Sequence, residues 1–310
     1  MLNKIKEVIE QYEIICIYRH VFPDGDAKGS QFGLKTWIES KYPNKQVYAI
    51  GQDTPNSFFP NCYHGEVEFE KALAIIVDTA NHQRIDGEGW DKCNKIIKID
   101  HHPAIDQYGA FNFVREEACA ASEIIGEMFM EANEELPKES ATYLYCGLIA
   151  DSQKFSIPTT TSKSLQVASY LINFGVDIQT CNLRMFSDTK QRFEYKAFIR
   201  TKVQYVEPGL AYIITTIDEY ERFGLTFDTA KNVVDVMANV DGFDIWVVYT
   251  EQTPGFYSGS FRSKNTTLND IVAHYGGGGH NFASGAKNMT LSDIESANKE
   301  LVDRLKEIRG

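Results

Sequence analysis

Lys95-Ile96-Ile97-Lys98-Ile99-Asp100-His101-His102-Pro103 is the stretch whose reading decides the fold. A short apolar, β-branched run reads as a strand, and the acidic and imidazole residues that follow read as the loop leaving it. Two histidines after an aspartate at a strand end bring one imidazole toward a crevice and keep the other close by. Asp100 is then placed to accept a proton from a ring nitrogen and fix its tautomer. Apolar runs at 14–18, 46–50 and 73–77 have the same form, and two of them are also followed directly by candidate ligands. His20, Asp24 and Asp26 come after the first, and Asp78 after the third. In open α/β sheets, ligands bind outside the carboxyl ends of the strands, so these loops are expected to converge.

The 310 residues, 43% of them hydrophobic, are enough for two domains. Alternating strands and amphipathic segments predict an α/β fold: an N-terminal, mostly parallel sheet with flanking helices, and a smaller C-terminal α/β domain. The expected boundaries are a first domain at 1–187 that carries the candidate metal ligands, a helical linker at 188–208 and a second domain at 209–310. The six cysteines are scattered without a C-x-x-C pair, which disfavours a zinc ribbon and fits reduced thiols in a cytoplasmic protein. The first ten residues lack the apolar core of a signal peptide, and no stretch is long and apolar enough for a membrane span. A net charge of -12 argues against binding long duplex nucleic acid, while a small anion held by local charges remains compatible.

The segment from His20 to Asp26 bends at Pro23 and Gly25, so its two aspartates can face different ions. By itself the Asp-Gly-Asp triplet could equally be a turn capping the next helix, read at 30–41. Asp151 ends a helical segment, where the helix dipole disfavours a carboxylate unless a cation is near. Carboxylates and imidazoles without thiolates suit Mn²⁺ or Mg²⁺ better than structural zinc. There are enough of them for two divalent cations sharing one activated water, with Asp78 as the bridging carboxylate. In the C-terminal part, Gly276-Gly277-Gly278-Gly279 can bring backbone amides close to a phosphate, and Arg262 can meet its oxygens in a bidentate contact.

These motifs, at 20–30, 77–80, 100–103, 147–152, 260–264 and 276–285, together resemble the DHH phosphoesterases that carry a DHH-associated C-terminal domain. The likeness is greatest to the NrnA-type group, which degrades nanoRNA and dephosphorylates pAp. The resemblance spans nearly the whole chain. It implies one ion held by His20, Asp24 and Asp78 and a second held by Asp26, Asp78, His101 and Asp151, with manganese the usual metal. It also implies that Asp100 supports the site from behind, that His102 lies near the scissile phosphate, and that Arg262 and His280 grip the nucleotide from a hinged domain. The substrate-binding set expected on this basis is Arg262, Ser263, Gly277, Gly278, Gly279, His280 and Phe282. Many relatives have a lysine after the histidine of the glycine run, where this chain has Asn281-Phe282, and Phe282 is a candidate to stack on a base.

The expected function is Mn-dependent hydrolysis of short single-stranded RNA and of small nucleotides such as pAp, in an enzyme for which a homodimer is compatible. A cyclic dinucleotide phosphodiesterase acting on c-di-AMP or pApA is the alternative. A family II pyrophosphatase lacks the glycine-histidine motif, and a RecJ-type nuclease needs basic surface and further domains. A non-catalytic nucleotide-binding protein would normally have lost ligands, and none is missing here.

Overall fold

The computed structural model describes residues 1–54 and 57–309, the side chain of His280 excepted. They form two compact units, Met1–Ser187 and Asp188–Gly310. In the first unit, five parallel strands, β1 (Ile14–Tyr18), β2 (Gln46–Ala49), β3 (Ala72–Val77), β4 (Lys95–Asp100) and β5 (Phe111–Val114), lie in the order β2-β1-β3-β4-β5. Ile15 and Ile17 of β1, Leu73, Ile75 and Val77 of β3, and Ile97 and Ile99 of β4 enter one core with the helices. Ile14, Cys16, Tyr18, Ala72, Ala74 and Ile76 alternate into a smaller core on the other face. Strands buried on both faces must be apolar at nearly every position, which is why these runs show no polar alternation. Each buried isoleucine or leucine contributes roughly 1.5–3 kcal/mol.

Lys98 is the exception within this pattern. Its side chain is fully buried, with Nζ donating to the carbonyls of Ala80 and Asp106 at 2.9 Å each and lying 3.2 Å from Asp100 Oδ2. Two carbonyls and the buried Asp100 carboxylate compensate for one buried ammonium.

Two helices carry site residues. The first, Gly25–Lys41, begins five residues earlier than the expected start at Ser30. Asp24 caps it, Oδ1 accepting from the amides of Asp26 and Ala27 at 3.0 Å each, while the Ser30 hydroxyl bonds back to the Asp26 carbonyl. Asp26 therefore sits in the first helical turn and not in a bend before it. The second helix, Lys138–Asp151, crosses the first at a point where a Cβ on Gly29 would lie 2.6 Å from the Tyr143 carbonyl oxygen. Only glycine permits that approach.

The second unit is built on a six-stranded sheet. Its strands are β6 (Gln204–Val206), β7 (Leu210–Thr215), β8 (Ile245–Thr253), β9 (Phe256–Ser263), β10 (Gly278–His280) and β11 (Ala283–Met289), in the order β10-β11-β9-β8-β7-β6. Only the β7–β8 pairing is parallel. Helix Leu291–Arg309 covers one face through Ile294, Ala297, Leu301 and Leu305. The sequence predicts a linker at 188–208, but helix Lys190–Arg200 packs into the core on the other face, burying Tyr195 and Ile199, and Gln204–Val206 joins the sheet as β6. The glycine run is likewise not a free loop, because Gly278–His280 pairs with β11 as an edge strand. Close packing requires glycine at two of its positions: a Cβ on Gly277 would meet the Gly285 carbonyl oxygen at 2.4 Å, and one on Gly279 the Ala283 carbonyl oxygen at 2.6 Å. Among the described residues, no helix is long and apolar enough to cross a membrane.

Candidate metal centre

The carboxyl ends of β1, β3 and β4 and the helices Gly25–Lys41 and Lys138–Asp151 bring together His20, Asp24, Asp26, Asp78, His101, His102 and Asp151. Potential ligand atoms lie within 4.8 Å of one another in three groups: His20, Asp24 and Asp78; Asp26, His101 and Asp151; and Asp78, His101 and His102. Asp78 belongs to the first and third groups and also faces His101 of the second. Its Oδ2 is 3.4 Å from His20 Nε2, and its Oδ1 is 3.3 Å from His101 Nε2. His20 Nε2 also lies 3.5 Å from Asp24 Oδ2, and His101 Nε2 lies 3.5 Å from Asp151 Oδ2.

The backbone sets the imidazole tautomers. His20 Nδ1 is 2.8 Å from the Val21 carbonyl oxygen and His101 Nδ1 is 3.2 Å from that of Ala118, so each Nδ1 carries the proton. Nε2 is then the nitrogen turned toward the carboxylates, the one that would ligate a cation. His102 is held differently, with its Nδ1 2.8 Å from Asp100 Oδ1. The same oxygen accepts from the amides of His101 and His102, so Asp100 organises the whole turn.

The electrostatics fit a cation. Asp78 is 1% exposed, has φ +48°, and neither of its oxygens accepts a hydrogen bond among the described residues. A buried carboxylate without donors is costly, and strained backbone of this kind is kept where the surroundings enforce it. Burial opposes its ionisation, yet His101 and His20 hold it well below the ordinary carboxylate range. Burial, with Asp26, Asp24 and Asp78, pushes Asp151 well above that range, and burial with Asp78 pushes Asp26 up to about 7. Burial disfavours charge on His20 and His101, but the carboxylates around them push both up to about 10. Protons are drawn to the places a divalent cation would take, and the oxygen and imidazole donors suit a hard to borderline ion.

Supporting residues with no signature in the sequence surround this cluster. Arg19 and Asp86, 1% and 2% exposed, form a buried ion pair at 3.2 Å. Arg19 Nη2 also donates to the Gln52 carbonyl, and Asp86 accepts from the Gln52 amide, which fixes the start of the loop bearing His20. Arg84 Nη2 lies 3.5 Å from His20 Nδ1. After Asp151, Gln153, Lys154 and Phe155 have φ values of +45°, +60° and +65°, a run of strained residues at the edge of the cluster.

In the second unit, the register places His280, Ala283, Arg262 and Trp246 in one row across β10, β11, β9 and β8. Arg262 is half-buried, its Nη1 donates to the Phe261 carbonyl at 2.8 Å, and burial lowers its pKa. Ser263 is buried and its hydroxyl donates to the Thr266 carbonyl, so its proton is already used within the chain. Phe282, in the β10–β11 turn, is 46% exposed. Gly277 precedes β10, whereas Gly278 and Gly279 are part of it. The His280 side chain lies outside the described residues.

Comparison with known proteins agrees with this architecture. Residues 14–148 match the DHH family N-terminal domain and residues 209–307 match the DHHA1 domain. A probable bifunctional oligoribonuclease and PAP phosphatase NrnA of Streptococcus mutans is 35% identical over 96% of this chain and 97% of its own length. The bifunctional oligoribonuclease and PAP phosphatase NrnA of Bacillus subtilis is 34% identical over 97% and 99%. The crystal structure of an exopolyphosphatase-related protein from Bacteroides fragilis shares the fold, with a TM-score of 0.88, 20% identity, and coverage of 99% of this chain and 96% of that one. Both domains are matched in order and the relatives align end to end: the chain belongs to the DHH phosphoesterase family.

Proposed function

We propose that this protein hydrolyses short oligoribonucleotides and the 3′-phosphate of pAp, using two divalent cations, with manganese the preferred ion. The observation that carries this reading is Asp78: buried, without a hydrogen-bond donor among the described residues, and turning one oxygen toward His20 and the other toward His101. His20, Asp24 and Asp78 would hold one cation, and Asp26, Asp78, His101 and Asp151 the other. When bound, the cations supply activation of a water nucleophile and neutralisation of charge on the phosphate. The substrates are those named for the relatives aligned over nearly their full length.

The remaining chemistry falls to the chain itself. Asp100 holds His102 by Nδ1 and thereby sets the direction in which the imidazole moves a proton at Nε2 toward the leaving oxygen. In the second unit, Arg262 binds substrate phosphate, with His280 two strands away in the same row of the sheet, and Phe282 meets a base. Half-burial suits Arg262 to this, since a partly desolvated guanidinium gains more from a bidentate oxyanion partner than an exposed one does.

A substrate panel of pAp, pApA, c-di-AMP, a pentaribonucleotide and pyrophosphate, with and without Mn²⁺, tests the proposal. Manganese-dependent turnover of pAp and the short RNAs is expected. Asp78→Ala and Asp151→Ala should each abolish it, and Arg262→Ala should mainly raise KM. Unaltered rates in both aspartate variants reject the mechanism, and turnover of c-di-AMP alone replaces the substrate assignment with cyclic dinucleotides.

A further inference from the structure

Phe22 stands midway between His20 and Asp24, and its side chain is 92% exposed with φ at +54°. A left-handed backbone is uncommon outside glycine, and for a bulky side chain it is a true outlier. Strain of this kind concentrates where a ligand is gripped. Ring exposure and backbone strain both work against folding, and a ring this open to solvent gains little from packing to offset them.

The backbone around Phe22 is nevertheless fixed. The Val21 amide donates to the Arg84 carbonyl at 2.8 Å, His20 forms a β-bridge with Ile85, and Asp24 is committed as a helix cap. The ring is thus held out on a frame anchored at both sides. A phenyl group cannot ligate a cation or donate to a phosphate oxygen, but it offers an apolar π-face, which stacks well on a planar base. Successive Cα atoms are about 3.8 Å apart, so Phe22 lies within about 7.6 Å, Cα to Cα, of two candidate ligand residues. A nucleobase is separated from its own phosphate by a single sugar, a comparable span.

We propose that Phe22 is the stacking platform for the nucleobase next to the phosphate held at the His20–Asp24–Asp78 cluster. The inference rests on the nucleotide-hydrolase reading and adds to it a selectivity for nucleotides over sugar phosphates and inorganic phosphates. Phe282, in the other unit, is a separate aromatic contact.

Calorimetric titration of the manganese-supplied protein with 5′-AMP and with ribose 5-phosphate tests it without relying on turnover. The wild-type protein should prefer AMP, and Phe22→Ala should cut that preference roughly tenfold, as expected for the loss of one stacked base. Phe22→Tyr should restore it. An unchanged AMP-to-ribose 5-phosphate ratio in Phe22→Ala overturns the inference, as does a wild-type protein that shows no preference. An equal fall in both affinities also overturns it, because the ring would then only be shaping the loop. If the substrate panel shows no nucleotide turnover while the AMP preference still depends on Phe22, the hydrolase reading fails and the stacking site stands. Nucleotide turnover with a preference indifferent to Phe22 removes the stacking site and leaves the hydrolase reading in place.

Discussion

Asp26 accepts the two leading amides of a helix that lies far away in sequence: Oδ2 from Ala121 at 2.6 Å and Oδ1 from Ser122 at 2.9 Å. The carboxylate is therefore both the N-terminal cap of helix Ala121–Glu131 and a member of the acidic cluster. Asp26→Asn would turn an amide donor toward one of these N–H groups. We expect a loss of about 1–3 kcal/mol in stability from the unpaired donors. Urea denaturation in chelator should show that loss, and manganese-dependent turnover should fall with it.

Gly147 marks the tightest contact behind the cluster. A Cβ there would lie 2.1 Å from Ser122 Oγ and 2.9 Å from Asp26 Oδ1. Gly147→Ala must displace Ser122 and with it the Asp26 carboxylate that caps its helix, and overpacking of this kind costs about 1–3 kcal/mol. Activity should drop by more than about tenfold, because a displacement near 1 Å at a reacting centre costs about a hundredfold. Paired kcat and Tm measurements check both expectations, and wild-type kcat in this variant would mean that the helices yield without moving Asp26.

Arg19 and Asp86 make their pair out of contact with water, so removing one charge leaves the other stranded. Arg19→Met is expected to cost about 3–5 kcal/mol. The double variant Arg19→Met with Asp86→Leu should recover part of that loss, which a double-mutant cycle in urea would reveal.

Glu134 gives a pH signature away from the active centre. Its side chain is 7% exposed and pairs with Lys41 at 2.8 Å and with Lys6. Burial works against its ionisation, but the two lysines outweigh it and hold the carboxyl below its usual value of 4.5. A depressed folded-state pKa contributes stability that is present above the unfolded value and is lost as pH falls through the folded one. Glu134→Gln should thus cost about 1–2 kcal/mol at pH 7. The gap from wild type should close as the pH drops below 4.5, followed by thermal unfolding across a pH series.

The candidate ligands were legible because metal chemistry is written in residue types: Asp100-His101-His102 at a strand end and His20, Asp24 and Asp26 after another need no partner to stand out. The parallel sheet was legible for a related reason, since strands covered on both faces leave uninterrupted apolar runs. What stayed hidden depends on pairs distant in sequence. Arg19 and Asp86 are 67 residues apart, and neither looks unusual alone. Lys98 did carry a signal, a charge inside an apolar strand, but its carbonyl partners at Ala80 and Asp106 did not. The glycine run reads as a loop by composition, whereas its pairing depends on Gly285, Ser284 and Ala283 accepting a close neighbour. Helix Lys190–Arg200 looks polar enough to bridge domains, yet Tyr195 and Ile199 anchor it in the second core.

All the strands of the first sheet run the same way, so the residues just before them, Glu13, Lys45, Lys71, Asn94 and Ala110, gather on the rim opposite the acidic cluster. Glu13, Lys71, Asn94 and Ala110 are exposed there, and Lys45 is half-buried. That rim is the natural place to graft a fluorophore or a surface tether, since a label attached to it would report on the enzyme at work from the far side of the sheet.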